Sequence, residues 1–391
     1  MASLKTELFG IQFPNPFLIS SCPATSSGDK VMRAFKAGWG GVVLKTFGLD
    51  PTPNVSPRIY AMKVGRTRIG MFDIELYSAR PIEWWESQIR LIRDSYPNRP
   101  LIASISGRNS AFSWQEVVRR VEPLGINAFE MNLSCPSFDK ERGSKLGQDP
   151  ASLQQAVRWV RTATDLPVIV KLTPNVTDIV MLAQAALEAG ANGFTCANSL
   201  TGIAGIDLET FEPLPAVGGM SIAGGYGGPG LKPVSLAHTA SVAKALHVPM
   251  MGVGGISRWQ DAVEYMAVGA GLVQVCTAVL LNGYELIRPL TRGLSQYLER
   301  RGFQKPADLV GRALPRLGTF SDLDLSIRML PRVDPALCNG CAICFRACST
   351  GGFEAIRMED KLAVVDAAVC DGCGLCASLC PEGAMRMVEK N

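Results

Sequence analysis

The 391-residue sequence predicts an α/β protein, a closed (β/α)8 or TIM barrel, followed by a small α+β domain built on two copies of one cysteine run. Two observations predict it. Between residue 17 and about residue 280, eight short apolar β-rich runs alternate with helix-like stretches, and eight of the twelve cysteines crowd into the last 54 residues. A barrel of this kind takes roughly 250 residues, so the chain has room for one barrel and one appendage. The expected division is a barrel over residues 1–310, a connector over 311–333 containing Pro315 and Pro331, and the cysteine-rich domain over 334–391.

The eight runs are FLISS (17–21), GVVLKT (41–46), LIASIS (101–106), AFEMNLS (128–134), VIVKLT (168–173), GFTCANS (193–199), MMGVGGI (250–256) and LVQVCTA (272–278). Between them lie stretches such as ASLQQAVRWVRTAT and VSLAHTASVAKAL, with apolar residues three and four apart, as one face of a helix requires. Strands apolar throughout belong in a parallel sheet covered by helices, and eight units favour closure over an open sheet.

Polar residues collect at the carboxyl ends of these runs: Ser20 and Ser21, Lys45 and Thr46, Asn132 with Ser134 and Cys135, Lys171 and Thr173, and Asn198 and Ser199. That end of a barrel carries the active site, and two lysines there suit a charged or polarisable ligand better than packing. Glycine-rich AGGYGGPG (223–230) and GVGGIS (252–257), read as loops at the seventh and eighth strand positions, offer backbone N–H groups to a phosphate. No strand is followed by GxGxxG with the acidic residue a dinucleotide fold needs, so no nicotinamide site is assigned.

Composition excludes other classes. A net charge of +4 without a dense basic block leaves no footprint for nucleic acid. No apolar run approaches the roughly 20 residues of a membrane span, and the start lacks a secretory h-region, so the expectation is a cytoplasmic protein bound to no membrane.

In the tail, CNGCAICFRAC gives Cys338, Cys341, Cys344 and Cys348, and CDGCGLCASLC gives Cys370, Cys373, Cys376 and Cys380. Each copy is C-x2-C-x2-C-x3-C, 32 residues apart, and a Val-Asp pair (333–334, 365–366) precedes both at the same offset. Disulfides do not suit a chain without an export signal, and structural zinc leaves the third cysteine of each run unexplained. The pattern resembles a two-cluster ferredoxin, where the fourth cysteine of one run serves the other run's cluster. The resemblance implies one [4Fe–4S] cluster on Cys338, Cys341, Cys344 and Cys380, and a second on Cys370, Cys373, Cys376 and Cys348. Such clusters move single electrons, so the barrel must hold a group that converts them to a two-electron step.

NLSCP (132–136), KTF (45–47), NVSPR (54–58), KLTPNVTDI (171–179), GGYGG and GGI together resemble the dihydropyrimidine dehydrogenases, within the dihydroorotate dehydrogenase-like superfamily, over nearly the whole chain. The resemblance implies FMN in the barrel, its phosphate near Gly227, Gly228, Gly254, Gly255, Cys276 and Thr277, and its ring near Ser20, Ser21, Lys45, Thr46, Asn132 and Lys171. It implies that Cys135 is the acid protonating C5 of a uracil or thymine ring while hydride reaches C6. A thiol near its ordinary pKa of about 8.5 is a suitable donor at neutral pH. His238 and His247 lie in or after a helix-like stretch and are poor candidates for that acid. The resemblance places Asp73, Glu75, Asn132, Ser134, Asn198 and Ser199 around the substrate, with Asn109 as a further candidate. Asp73 stands where the family has asparagine, Ser199 where mammalian enzymes have threonine, and Ser137 where relatives carry a larger side chain. Lys63, Arg66 and Arg68 read as a solvated loop or part of a lid. Cys22, Cys196 and Cys276 look isolated, for which packing is the simpler reading.

The implied electron donor is a separate NAD(P)H-oxidising subunit with FAD and iron–sulfur centres, giving a hetero-oligomer or a homodimer. Two alternatives stay open: the same chemistry on another conjugated C=C compound such as the dihydroorotate/orotate pair, or a non-catalytic electron-transfer subunit.

Overall fold

The computed structural model describes residues 2–133 and 144–390, which form two compact units, Met1–Arg316 and Leu317–Asn391. In the first unit, β1 (Phe17–Ile19), β2 (Gly41–Val43), β3 (Leu101–Ile105), β4 (Ala128–Asn132), β5 (Val168–Lys171), β6 (Gly193–Cys196), β7 (Met250–Val253) and β8 (Leu272–Val275) close into an all-parallel barrel in chain order. All eight apolar runs supply one strand each, and the expected helices appear at Pro150–Arg161 and Lys232–Leu246.

Alternation along the strands explains the barrel's interior. Phe17 and Ile19 belong to the large apolar layer between strands and helices, whereas Leu18 joins Val43, Ile102, Ala128, Ile169, Met251 and Leu272 in a separate buried cluster inside the barrel. Phe13, from the hairpin Thr6–Leu8/Ile11–Phe13, joins that cluster with Leu8, Phe9 and Ile11. Two residues further along five of these strands, at the same facing, the chain carries Ser20, Ser104, Glu130, Lys171 and Gln274 instead of aliphatics, all at 5% exposure or less. The barrel therefore changes from an oily plug to a polar floor within one step of the pleat.

Two insertions build a roof. Ile59–Val64 and Thr67–Asp73 follow β2, Leu200–Gly202 and Gly224–Gly227 follow β6, and the four strands pair in one antiparallel sheet with Thr67–Asp73 between Gly224–Gly227 and Ile59–Val64. Residues 223–230 thus follow the sixth strand and 252–257 the seventh. The expected positions were one strand too late, because the insertion after β6 separates the two glycine runs from their apparent register.

The second unit pairs Met329–Val333 with Met385–Glu389, and Ile356–Glu359 with Leu362–Val365, around helices Ile343–Thr350 and Leu375–Leu379. Residues 329–333, inside the expected connector, are thus a strand of this unit. Pro331 is tolerated because the sheet has only two strands, each an edge. Apolar packing here is slight, with Ile356, Ala363, Cys376 and Met385 in one cluster and Leu330, Ala355 and Cys370 in another.

Candidate active site

A cavity of about 370 Å³ opens at the carboxyl ends of the barrel strands, within the range of small-molecule sites. Its floor is the polar layer. Glu130 is fully buried; its Oε2 accepts hydrogen bonds from Thr195 Oγ1 at 2.7 Å and Gln274 Nε2 at 2.6 Å, and its Oε1 faces Lys171 Nζ at 3.8 Å. Lys171 also donates to Ser20 Oγ at 3.3 Å, and Ser20 donates to Gln274 Oε1 at 2.9 Å. A buried carboxylate thus holds the ammonium beneath the cavity and compensates its charge.

On one wall, Thr46 joins Ser21, Ser104 and Asn132: Asn132 Nδ2 donates to Thr46 Oγ1 at 2.9 Å, and the Thr46 and Ser104 hydroxyls lie 2.8 Å apart. Lys45 Nζ donates to Glu75 Oε2 at 2.6 Å, and Arg58 Nε reaches Glu75 Oε1 at 3.0 Å. Asn54 fixes this segment by accepting from the Leu76 N–H and donating to the Tyr77 carbonyl, so NVSPR acts as a brace for Glu75. Tyr77 in turn donates to the Asn132 carbonyl at 3.0 Å. Asp73 lines the cavity from the roof, and burial pushes its carboxyl up to about 6, partly opposed by the Lys45 charge.

Asn198 Nδ2 donates to Asn132 Oδ1 at 3.5 Å, while Asn198 Oδ1 accepts the Ser199 N–H at 2.9 Å. Asn175, from KLTPNVTDI, bonds the Ser199 carbonyl and the Thr201 N–H, tying the rim to β5. Across the cavity, Gly227 and Gly228 meet Gly254, Gly255 and Thr277. A Cβ on Gly227 would lie 3.0 Å from Thr277 Oγ1 and one on Gly255 2.8 Å from the Gly228 carbonyl, so the two loops close on each other with bare backbone. Gly228, Gly254 and Gly255 have φ of 116°, 130° and 70°, where side-chain-bearing residues are strained.

Every cofactor-site residue expected from the sequence therefore lines one cavity: Ser20, Ser21, Lys45, Thr46, Asn132, Lys171, the four glycines, Cys276 and Thr277. Asp73, Glu75, Asn198 and Ser199 line it too. Asn109 does not; it is exposed ahead of the helix Ala111–Val121. Cys135, Ser134 and Ser137 lie outside the described residues. Arg68 lines the cavity, whereas Lys63 and Arg66 are exposed. His238 is half-buried in the helix Lys232–Leu246 and lines no part of the cavity.

Two cysteines read as isolated are not. Cys22 and Cys276 both line the cavity and share a hydrogen bond that lowers the Cys22 thiol and, with burial, raises that of Cys276. They follow β1 and β8, which are hydrogen-bonded neighbours only because the barrel closes. Cys196 fits the packing reading, being fully buried, with its thiol pushed up to about 12 by desolvation.

In the second unit, one cavity is lined by Cys338, Cys341, Cys344 and Cys380, and another by Cys348, Cys370, Cys373 and Cys376. Each has the fourth cysteine of the opposite run. Gly340 and Gly372, at matching positions in the two copies, turn the loops with φ of 74° and 79°. Among the described residues no group of three His, Cys, Asp or Glu side chains stands as a single metal ion would need.

Comparison with known proteins agrees with this geometry. The family described as dihydroorotate dehydrogenase matches residues 3–298, and the 4Fe-4S dicluster domain matches residues 331–387. The chain belongs to the dihydroorotate dehydrogenase family. Its relatives include the NAD-dependent dihydropyrimidine dehydrogenase subunit PreA of Escherichia coli, 35% identical over 363 residues, covering 92% of this chain and 88% of that protein. The chloroplastic dihydropyrimidine dehydrogenase (NADP(+)) of Arabidopsis thaliana is 34% identical, covering 82% and 79%. The catalytic subunit of dihydroorotate dehydrogenase B (NAD(+)) of Pyrococcus furiosus is 37% identical, covering 80% and 99%.

As a member of the dihydroorotate dehydrogenase family with a dicluster domain, the chain is an iron–sulfur oxidoreductase. Among the described residues no helix is long and apolar enough to cross a membrane. Glu130, Gln274, Thr195 and Tyr77 escaped the sequence reading. A charge inside AFEMN and an amide inside LVQV were the available clues, since an apolar strand carries such groups only when a buried partner awaits them.

Proposed function

We propose that this member of the family reduces the 5,6-double bond of a neutral pyrimidine such as uracil or thymine, with FMN in the barrel cavity and two [4Fe–4S] clusters in the tail. The residues present suit both groups. The bare glycine loops beside Thr277 fit a phosphate, Lys171 and Lys45 fit the polar edge of an isoalloxazine, and eight cysteines in two sets of four fit two clusters. When bound, FMN supplies a hydride donor that can be refilled one electron at a time.

The chain's own residues do the rest. Lys171, fixed by Glu130 and Ser20, holds positive charge at the floor. Asn132 and Asn198 offer paired donors and acceptors to the substrate's amide edges. Cys135 is the proposed acid for C5, a role supported by its place in NLSCP. In the forward step C6 gains hydride and C5 gains the Cys135 proton, so the product is the neutral dihydropyrimidine. The electrons are proposed to come from a separate NAD(P)H-oxidising subunit through the tail, in keeping with the PreA relative's being named a subunit. Of the expected connector 311–333, residues 311–316 belong to the first unit and 329–333 form a strand of the second, which leaves 317–328 as the proposed connector.

The observation that carries the reading is charge pairing. Lys45 and Lys171 already face Glu75 and Glu130, and Asp73 offsets Arg68 in number, so the site has no surplus of positive charge for the anionic orotate and favours a neutral ring. The test is anaerobic photoreduction of the holoenzyme followed by uracil, thymine or orotate, with flavin reoxidation read by absorbance. Fast reoxidation by uracil or thymine supports the proposal; reoxidation by orotate alone overturns it.

A further inference from the structure

Asp73 is placed unlike the other carboxylates of the cavity. Glu75 accepts from both Lys45 and Arg58, and Glu130 from Thr195 and Gln274. Asp73, at the end of Thr67–Asp73, accepts the Glu75 backbone N–H and, among the described residues, forms no ion pair, Lys45 and Arg58 both being taken by Glu75. It pairs across the sheet with Gly225, where a Cβ would lie 2.4 Å from Ser199 Oγ and 3.6 Å from Asp73 Oδ2. The missing side chain leaves Asp73 and Ser199 flanking one spot at the cavity wall. A carboxylate has about four acceptor sites, so one N–H from Glu75 leaves most of its capacity directed to a ligand.

We infer that the substrate presents two neighbouring N–H donors to Asp73, an amino group beside a ring N–H, on a heterocycle that keeps a carbonyl conjugated to its C=C. This rests on the reading above: it keeps the 5,6-reduction of a neutral pyrimidine and ranks an amino-substituted ring above uracil, which stays a slower substrate. A 2-amino-4-oxopyrimidine has that edge, and its 4-carbonyl still activates C6 for hydride and C5 for the proton. Each carboxylate oxygen then accepts one N–H in a bidentate, charge-assisted contact. Uracil instead sets every ring N–H beside carbonyl oxygens, and a carbonyl facing an ionised carboxylate is repelled. Asp73 is therefore a specificity-determining residue.

The charged and titratable groups around Asp73 are Lys45 from the end of β2, Arg58 and Arg68 from the hairpin, Glu75 just beyond it, and Cys276 after β8. With the Asp73 carboxyl raised to about 6, the sign is fixed: above that pH it accepts, below it the proton makes it a donor to a carbonyl. The two-donor substrate gains as pH rises through about 6, and uracil loses.

The experiment compares 2-amino-4-hydroxypyrimidine and uracil as oxidants of the photoreduced holoenzyme from pH 5 to 8, in wild type and in Asp73→Asn. The expected result at pH 7.5 is a preference for the aminopyrimidine on the order of 100-fold, reversed in Asp73→Asn, with opposite pH trends for the two compounds in wild type. Equal rates, a uracil preference at pH 7.5, or parallel pH trends in wild type overturn the inference while leaving pyrimidine reduction standing. Should neither compound reoxidise a flavin that ferricyanide does reoxidise, the pyrimidine reading itself fails, and this inference with it. The wild-type pH profiles decide the matter even where the variant does not fold.

Discussion

Replacing Glu130 with glutamine should expose how much the barrel floor depends on one buried charge. Glutamine keeps the shape and can still accept from Thr195 and Gln274, but its amide nitrogen then faces Lys171, turning an attraction at 3.8 Å into two opposed donors. With an effective dielectric of about 20, unit charges at that separation attract by about 4 kcal/mol. Breaking a buried pair by removing one partner costs a similar amount, about 3–5 kcal/mol, because Lys171 at 5% exposure is largely shielded from solvent. At roughly 2 °C or more per kcal/mol for a large domain, the barrel transition should fall by about 8 °C in calorimetry. The double variant Glu130→Gln/Lys171→Met removes the stranded charge and should recover a large part of the loss. A single variant within about 1 kcal/mol of wild type, with no recovery in the double, would refute the view that Glu130 compensates Lys171.

Gly254→Ala should lose flavin on dilution, since the new Cβ would lie 2.3 Å from Ser235 Oγ at a φ of 130°, a strain of about 1–3 kcal/mol; bound-flavin fluorescence and equilibrium dialysis measure it. Cys135→Ala should retain FMN and lose pyrimidine-dependent reoxidation by a factor on the order of 100 or more, the usual worth of a general acid, as stopped-flow absorbance would show. Iron chelation should melt residues 317–391 while the barrel stays folded, because the second unit's two small apolar clusters cannot alone offset its chain entropy; hydrogen exchange resolved by segment reads the two units separately.

The sheet and the clusters were legible because both are local patterns. Each barrel strand is a short apolar run, and each cysteine run carries its spacing within eleven residues. Lys45, Lys171 and the glycine loops were legible because strand ends, in any barrel of this kind, point to one face. The register of 223–230 was misplaced because a roof strand, Gly224–Gly227, reads in sequence like the loop of a barrel strand. Cys22 and Cys276 were misread as isolated because 254 positions separate Ser20 from Gln274 beside them, and barrel closure alone brings β1 against β8.

By itself the sequence determined what depends on neighbours along the chain: strand and helix periods, the polar change at strand ends and the duplicated cluster spacing. Tertiary structure alone decided which charges meet. Glu130 finds Gln274 across 144 positions, and Lys45 finds Glu75 only because Asn54 pins the loop after the roof strand. Charge compensation acts over a few ångströms of space, and no period along a chain encodes distances between groups brought together by closure and insertion.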